Sequence, residues 1–285
     1  MAKFMLSSFA DEAAKPFSEQ IRISLKNGIT YMEIRTIDGK NISAHTAGEC
    51  KELKKILDEN GMGISAIGSP YGKINVHEDF APHLEAFKRT VECAHILGAK
   101  QMRIFSFYID ENKVPEDYED LVLERLEQFL INACGILCVH ENEKGIFGDD
   151  ASRSKKIADA FDGKIKLVFD PANFVQCGQD TLKAYDILEN DIEYLHVKDS
   201  LAASKAVVPA GRGDGNVKEI LRRFSRKEGE RFLVVEPHLK VFSGFEALES
   251  AVSGSAPLQE FSFRSNEEAF DAAVEALKSI LRDIA

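Results

Sequence analysis

Eight short apolar runs recur along this 285-residue chain at intervals of about 30 residues, the length of one strand-plus-helix unit. They are FMLSSF (4–9), ITYMEI (29–34), ISAIG (64–68), MRIFSF (102–107), ILCVHE (136–141), IKLVFD (165–170), IEYLHV (192–197) and RFLVVE (231–236). Rich in Ile, Val, Phe and Tyr, they read as strands, and the stretches between them carry helical periodicity. Residues 77–97 place Phe80, Leu84, Phe87 and Ala94 near one face, and residues 116–131 and 266–284 behave alike. Glycines after Asn27, Asn60, Leu97, Asp162 and Glu228 mark helix ends, because glycine accepts a positive φ without penalty. Strands that alternate with helices build a parallel sheet. Eight such units predict an α/β fold of the closed (β/α)8 barrel type. The rival is an open doubly wound sheet, which carries a glycine-rich dinucleotide fingerprint after its first strand. Here that place holds Ser7-Ser8-Phe9-Ala10-Asp11, without glycine. No linker or low-complexity tract divides the chain, so residues 1–285 are expected to form one domain.

Charge and hydropathy narrow the partners. The 36 basic and 47 acidic residues give a net charge of −11, which argues against a broad face for a phosphate backbone and against a nucleic-acid partner. The longest stretch free of Asp, Glu, Lys and Arg runs from Gln128 to His140, short of the roughly 18–20 residues a spanning helix needs, so no membrane partner is expected. Asp11 and Glu12 interrupt the N-terminal segment before any long apolar core, unlike a signal peptide, and the expected location is the cytoplasm. The five cysteines (Cys50, Cys93, Cys134, Cys138, Cys177) are scattered and read as reduced, buried thiols rather than as a zinc knuckle.

In a barrel of this kind the chemistry sits at the C-terminal ends of the strands. Those ends are polar here: Glu33, Arg103, Glu141, Asp170, His196 and Glu236. Strand side chains alternate, so Glu141 shares a face with Val139, Asp170 with Val168, His196 with Tyr194 and Glu236 with Val234. Each taken singly is an ordinary helix cap or ion-pair partner. Strands five to eight each ending in a metal-competent group is a different matter. Three carboxylates and an imidazole would converge on one point, and the negative charges are costly together unless a cation neutralises them. The oxygen-rich set suits Mn²⁺ or Mg²⁺, with Zn²⁺ or Co²⁺ also able to occupy it. Glu143 shares the face of Glu141 and is its rival as the fifth-strand ligand.

The ordered motifs HENE (140–143), FDPAN (169–173), HVKD (196–199) and VVEPH (234–238) resemble those of the xylose isomerase-like family of sugar isomerases and epimerases, from about Phe4 to Leu239. The resemblance implies a TIM barrel with one divalent ion held by Glu141, Asp170, His196 and Glu236. It also implies that the two glutamates serve as the proton-transfer pair, acting on a sugar or sugar phosphate through an enediolate. Many members carry a histidine three residues after the metal aspartate. Asn173 stands there in this chain, able to hydrogen-bond a substrate hydroxyl but not to act as a base. The superfamily also contains DNA-repair endonucleases with histidine-rich, multi-metal centres. Here the third and fourth strands end in Gly68-Ser69 and Phe105-Ser106, without the extra histidines. Cyclitol and keto-sugar dehydratases of the same superfamily, and a non-catalytic carbohydrate-binding barrel, are the alternatives.

Three further features leave their alternatives open. Arg103 and Lys198 either contact substrate oxygens or hold the ligand carboxylates in place. The glycine-rich turn 210–216 after the seventh strand either binds phosphate on its amides with Arg212 as a clamp or is a turn capped by Asp214 or Asn216. Residues 239–263, with Phe242, Phe245, Phe261 and Phe263, are too long for a plain connection and are expected to form a lid or a contact within a homo-oligomer.

Overall fold

The computed structural model of the chain describes residues 1–241 and 261–284. Eight parallel strands close into a barrel: β1 (Lys3–Ser8), β2 (Tyr31–Ile34), β3 (Gly63–Ile67), β4 (Gln101–Ile104), β5 (Leu137–Glu141), β6 (Ile165–Phe169), β7 (Ile192–Val197) and β8 (Glu230–Val235). Each neighbours the next, and β1 closes the ring on β8 with Lys3 opposite Glu230 and Ser8 opposite Val235. The helices α1 (Phe17–Lys26), α2 (Ala47–Glu59), α3 (Phe80–Leu97), α4 (Glu119–Asn132) and α5 (Ala151–Ala160) follow the first five strands. Then α6 (Pro171–Gln176) and α7 (Thr181–Leu188) follow β6, α8 (Val217–Phe224) follows β7, and α9 (Asn266–Ile284) follows β8. Among the described residues no helix is long and apolar enough to cross a membrane. Of the long aromatic segment, Phe242 and Phe245 lie outside the described residues; Lys240 Nζ donates to the Phe263 carbonyl at 3.0 Å.

Local chemistry explains the element ends. Helix α2 starts on a capping box between Thr46 and Glu49, which satisfies two otherwise unpaired amides. Helix α3 starts on Asp79 and stops at Gly98 with φ 77°. Its Phe87 and Ala94 are buried while Phe80 and Leu84 pack at the edge of the same cluster, the face that the helical spacing sets. Truncating a buried aromatic of this kind to alanine costs about 3–5 kcal/mol. The fourth apolar run reads as a strand to Phe107, but β4 ends at Ile104. Beyond it the backbone turns to a loop: Phe105 N donates to the Tyr71 carbonyl at 2.8 Å and Phe107 N to that of Gly72 at 2.9 Å. Only glycine allows this approach, since a Cβ on Gly72 would lie 2.0 Å from the Phe105 oxygen.

The core has two shells. Between strands and helices lies most of the apolar side-chain mass. Inside the barrel Phe9, Ala66, Val139, Val168, Tyr194 and Val234 form a separate cluster. Alternation along the strands therefore puts the residues two places after Val139, Tyr194 and Val234, namely Glu141, His196 and Glu236, at the inner rim of the barrel's C-terminal mouth. The intervening residue on β5, His140, faces the other way and is fully buried. Its Nε2 shares a hydrogen bond with Ser106 Oγ at 2.9 Å, and the same hydroxyl accepts from Gly148 N at 2.8 Å, which ties two mouth loops to the strand.

Burial pushes the His140 imidazole down to about 3, whereas in the unfolded chain it titrates near ~6.5. Between those values the unfolded state takes up a proton that the folded state refuses, so stability falls as the pH falls through this window. Thermal melts from pH 7.5 to pH 4 are expected to show a shallower decline for His140→Gln than for the unsubstituted protein. A cost of about 1 kcal/mol at pH 7.5 is expected from the altered hydrogen bond. Parallel declines would show that other groups carry the acid sensitivity.

Candidate metal centre

Glu141, Asp170, His196 and Glu236 come from four consecutive strand ends. Each offers a ligand atom, and the four atoms lie within 4.8 Å of one another. All four side chains are buried. Glu141 Oε1 is 2.7 Å from His196 Nδ1, and Glu236 Oε2 is 3.6 Å from the same nitrogen. Asp170 caps α6, its Oδ1 accepting from Asn173 N at 3.0 Å, while its buried Oδ2 makes no hydrogen bond and faces Lys198 Nζ at 2.9 Å. Glu143 is not part of the group: it pairs with Lys73 at 2.8 Å.

The remaining polar side chains of the mouth hold these four. Arg103 Nη1 meets Glu141 Oε2 at 3.1 Å and its guanidinium lies over the Phe9 and Phe105 rings. Lys198 Nζ bridges Asp170 to Glu236 Oε2, the latter at 3.0 Å. Of the two readings of Arg103 and Lys198, the structure places both against the carboxylates. Asn173 lies at the rim with its Nδ2 donating to the Asn142 carbonyl at 2.9 Å. Asn142 in turn clasps the Asp170 backbone through two hydrogen bonds of 2.9 and 3.0 Å.

Several groups to which the sequence alone assigns no role complete the site. Arg35, just past β2, binds both oxygens of Asp11 at 2.9 and 3.0 Å, Glu12 at 3.0 Å and Glu236 Oε1 at 3.2 Å. His238 Nε2 lies 3.3 Å from Glu12 and 3.5 Å from Glu236. Glu33 Oε2 meets His196 Nε2 at 3.1 Å. The signal was present in kind, since Asp11, Glu12 and Arg35 also stand just beyond strand ends, but nothing in their spacing shows that they converge.

Six buried carboxylates (Asp11, Glu12, Glu33, Glu141, Asp170, Glu236) face three buried permanent cations (Arg35, Arg103, Lys198). With His196 neutral the formal sum is six negative against three positive, or −3. Buried charge without compensation is strongly unfavourable, and the protein answers in its proton affinities. Burial raises the Asp170 carboxyl to about 7 against the pull of Lys198, and raises Glu12 to about 8 against that of Arg35. Burial also opposes a charge on His196, but Glu141 and Glu33 outweigh it and lift the imidazole to about 10. Burial likewise works to raise Glu141, yet His196 and Arg103 hold it below its usual range. Glu236 is held well below that range, chiefly by Lys198. The donor set and the excess of carboxylates over permanent cations fit a divalent cation.

The glycine-rich turn corrects the phosphate reading of Arg212. Its cradle is already filled by a carboxylate of the chain: Asp199 accepts from Gly211 N and Gly213 N at 2.8 and 3.0 Å and from Gly215 N and Ser200 N at 2.9 Å each. Arg212 N and Asp214 N donate to backbone carbonyls, so the amides of 211–215 are all committed. The Arg212 side chain is exposed and does not line the mouth hollow. Nor do the expected caps operate, because Asn216 makes no side-chain cap on α8 and Asp214 Oδ2 accepts from Ala202 N.

Residues 21–280 match the family described as the xylose isomerase-like TIM barrel. Among curated proteins no sequence matches this chain. Solved structures share its fold at low identity. A probable 3-DHS dehydratase from Bacillus anthracis is 15% identical over 98% of this chain and 99% of its own, with a TM-score of 0.70. A xylose isomerase-like TIM barrel protein from Mycobacterium smegmatis in complex with magnesium is 14% identical over 99% and 97%, at 0.69. The 3-keto-D-glucoside 4-epimerase of E. coli is 12% identical over 99% and 100%, at 0.67.

Two outcomes follow from this geometry. Since Arg35, Arg103 and Lys198 already offset half of the buried charge, EDTA-treated protein is expected to keep its far-UV circular dichroism and to melt cooperatively. Mn²⁺ at a hundredfold excess over its Kd should then add about 2.7 kcal/mol of stability, and Asp170→Ala should abolish that gain. Separately, Asp199→Ala strands four amides. It should cost about 2–4 kcal/mol, read as a lower Tm, with metal binding retained.

Proposed function

The chain belongs to the xylose isomerase-like TIM barrel family, and on that premise we propose that it is a divalent-metal-dependent isomerase or epimerase of a sugar or sugar phosphate. The observation that carries this reading is the convergence of two glutamates, an aspartate and a histidine on one buried point. A divalent ion bound there, Mn²⁺ or Mg²⁺ by the oxygen-rich donor set, would supply Lewis acidity toward the carbonyl and hydroxyl oxygens of the substrate.

The chain's own residues do the rest. A C–H beside a carbonyl is a weak acid, and its removal needs a base in its ionised form at working pH. Glu141 and Glu236 are both held in that form by cations that also orient them, Arg103 for the first, Lys198 and Arg35 for the second. One glutamate takes the proton and the other returns it. Return to the opposite face gives an epimer; return to the neighbouring carbon gives an aldose–ketose pair. Asn173 offers a hydrogen bond to a substrate hydroxyl without competing as a base. Lys198 lies against Asp170 and Glu236; with those carboxylates engaged by a divalent ion, its ammonium would be free to donate to a substrate oxygen. A second reading is a dehydratase, in which loss of a β-hydroxyl from the same enediolate takes the place of the second proton transfer; a probable 3-DHS dehydratase shares the fold.

The test is turnover in D₂O on free and phosphorylated ketoses. Solvent deuterium is expected at the reacting carbon of the product. Glu236→Gln, which keeps the size and one oxygen but removes the base, should lower kcat by about 10²–10⁴-fold. Near-normal activity of Glu236→Gln without deuterium in the product would sink the two-glutamate assignment. An ultraviolet-absorbing enone as product would favour the dehydratase. Bound metal without turnover of any sugar or cyclitol would favour a carbohydrate-binding barrel.

A further inference from the structure

An imidazole can turn only one of its nitrogens to a metal, and which one is decided by what the other nitrogen meets. His196 Nδ1 faces Glu141 and Glu236 at 2.7 and 3.6 Å. Its Nε2 meets Glu33 Oε2 at 3.1 Å, with both side chains completely buried. Phe9 packs edge-on against the imidazole at 5.1 Å and Tyr194 lies tilted to it at 5.6 Å between centroids, which confines the ring without choosing its tautomer. Glu33 reaches this place through an irregularity: the register between β2 and β3 shifts between Met32 and Glu33, so that Met32 faces Ile64 and Glu33 faces Ala66. Such bulges re-aim a side chain next to a site. The other Glu33 oxygen is buried, as is the Tyr194 hydroxyl, which lies close enough to interact with Glu33, so the carboxylate is held between Tyr194 and His196 Nε2.

We propose that Glu33 is a positioning residue that accepts the Nε2 proton of His196, fixes the Nδ1 lone pair toward Glu141, Asp170 and Glu236, and thereby sets the affinity of the site for a divalent ion. The inference rests on the reading of those four residues as a metal site. A carboxylate at Nε2 accepts that nitrogen's N–H, so a divalent ion that takes the place of the Nδ1 proton would find the Nδ1 lone pair while the Nε2 proton stays on Glu33's side of the ring. A glutamine presents either a carbonyl or an amide to the ring and no longer dictates the tautomer.

The experiment titrates EDTA-stripped full-length protein with Mn²⁺, following the electron paramagnetic resonance of the free ion, for the unsubstituted chain, Glu33→Gln and Glu33→Leu. Affinity should fall about 10–100-fold in both variants, the range found for loss of a partner that orients a metal-bound histidine. Long-range ¹H–¹⁵N spectra of the Zn²⁺-loaded, unsubstituted protein should show His196 protonated at Nε2 and metallated at Nδ1. Metal on Nε2 would overturn the proposal without any variant having to fold. Equal Mn²⁺ affinity in Glu33→Gln would also overturn it, while leaving the metal-dependent function intact. Failure of the unsubstituted protein to bind Mn²⁺ or Zn²⁺ would instead remove the functional reading and this inference together.

Discussion

Burying six carboxylates at one end of a barrel is the constraint around which the rest of the mouth is arranged. Each carboxylate that carries a proposed role has a cation or an imidazole beside it: Arg103 for Glu141, Lys198 for Asp170, and Arg35 with Lys198 for Glu236. Two of these cations are arginines, whose planar fork suits buried pairing and which stay charged at any working pH. The permanent charges compensate incompletely, since three cations face six carboxylates, and proton uptake at Glu12, Asp170 and His196 covers much of the difference. A centre whose carboxylates were all paired with side-chain cations would have to break those pairs before a divalent ion could bind. One left bare would resist folding.

The architecture is largely legible in the chain. Each of the eight apolar runs overlaps a barrel strand, and the helices over 80–97, 119–132 and 266–284 fall where the periodicity puts them. Alternation is a local property, so which residues of β5, β7 and β8 face inward follows from counting by two. What sequence could not show is convergence between parts of the chain that have no fixed spacing. Arg35 pairs with Glu236 across 201 positions, and Glu33 reaches His196 across 163. Neither separation has a period to detect. The bulge at Met32/Glu33 is invisible for the same reason, because it depends on the partner strand.

The glycine-rich turn shows how a local pattern can be read correctly in kind and wrongly in occupant. Its amides do point inward as a cradle for negative charge, which is what the glycines permit: a Cβ on Gly213 or Gly215 would lie 2.4 or 2.6 Å from Asp199 Oδ1. The anion that fills the cradle is the aspartate of the HVKD motif, one residue after Lys198. The turn therefore braces the strand end that carries Lys198, and its chemistry is spent on geometry. Asn173 behaves similarly. Its amide is engaged with Asn142, which itself grips the Asp170 backbone, so the segment after β6 is held by amide groups rather than by charge.

The seam of the barrel has a consequence for how such a chain comes into being on the ribosome. Strand β1 is parallel to β8, with Lys3 opposite Glu230, and Arg35 joins Asp11 and Glu12 at the start of the chain to Glu236 near its end. During synthesis Glu12 and Arg35 emerge long before Glu236 does. A nascent chain that has passed β7 already displays Glu141, Asp170 and His196, yet it has neither the fourth ligand nor a closed wall. Closure by β8 seals the sheet and delivers Glu236 to Arg35 and Lys198 in one event. The four-residue group proposed to hold a metal is therefore complete only in a finished barrel, and a chain ending before β8 lacks Glu236.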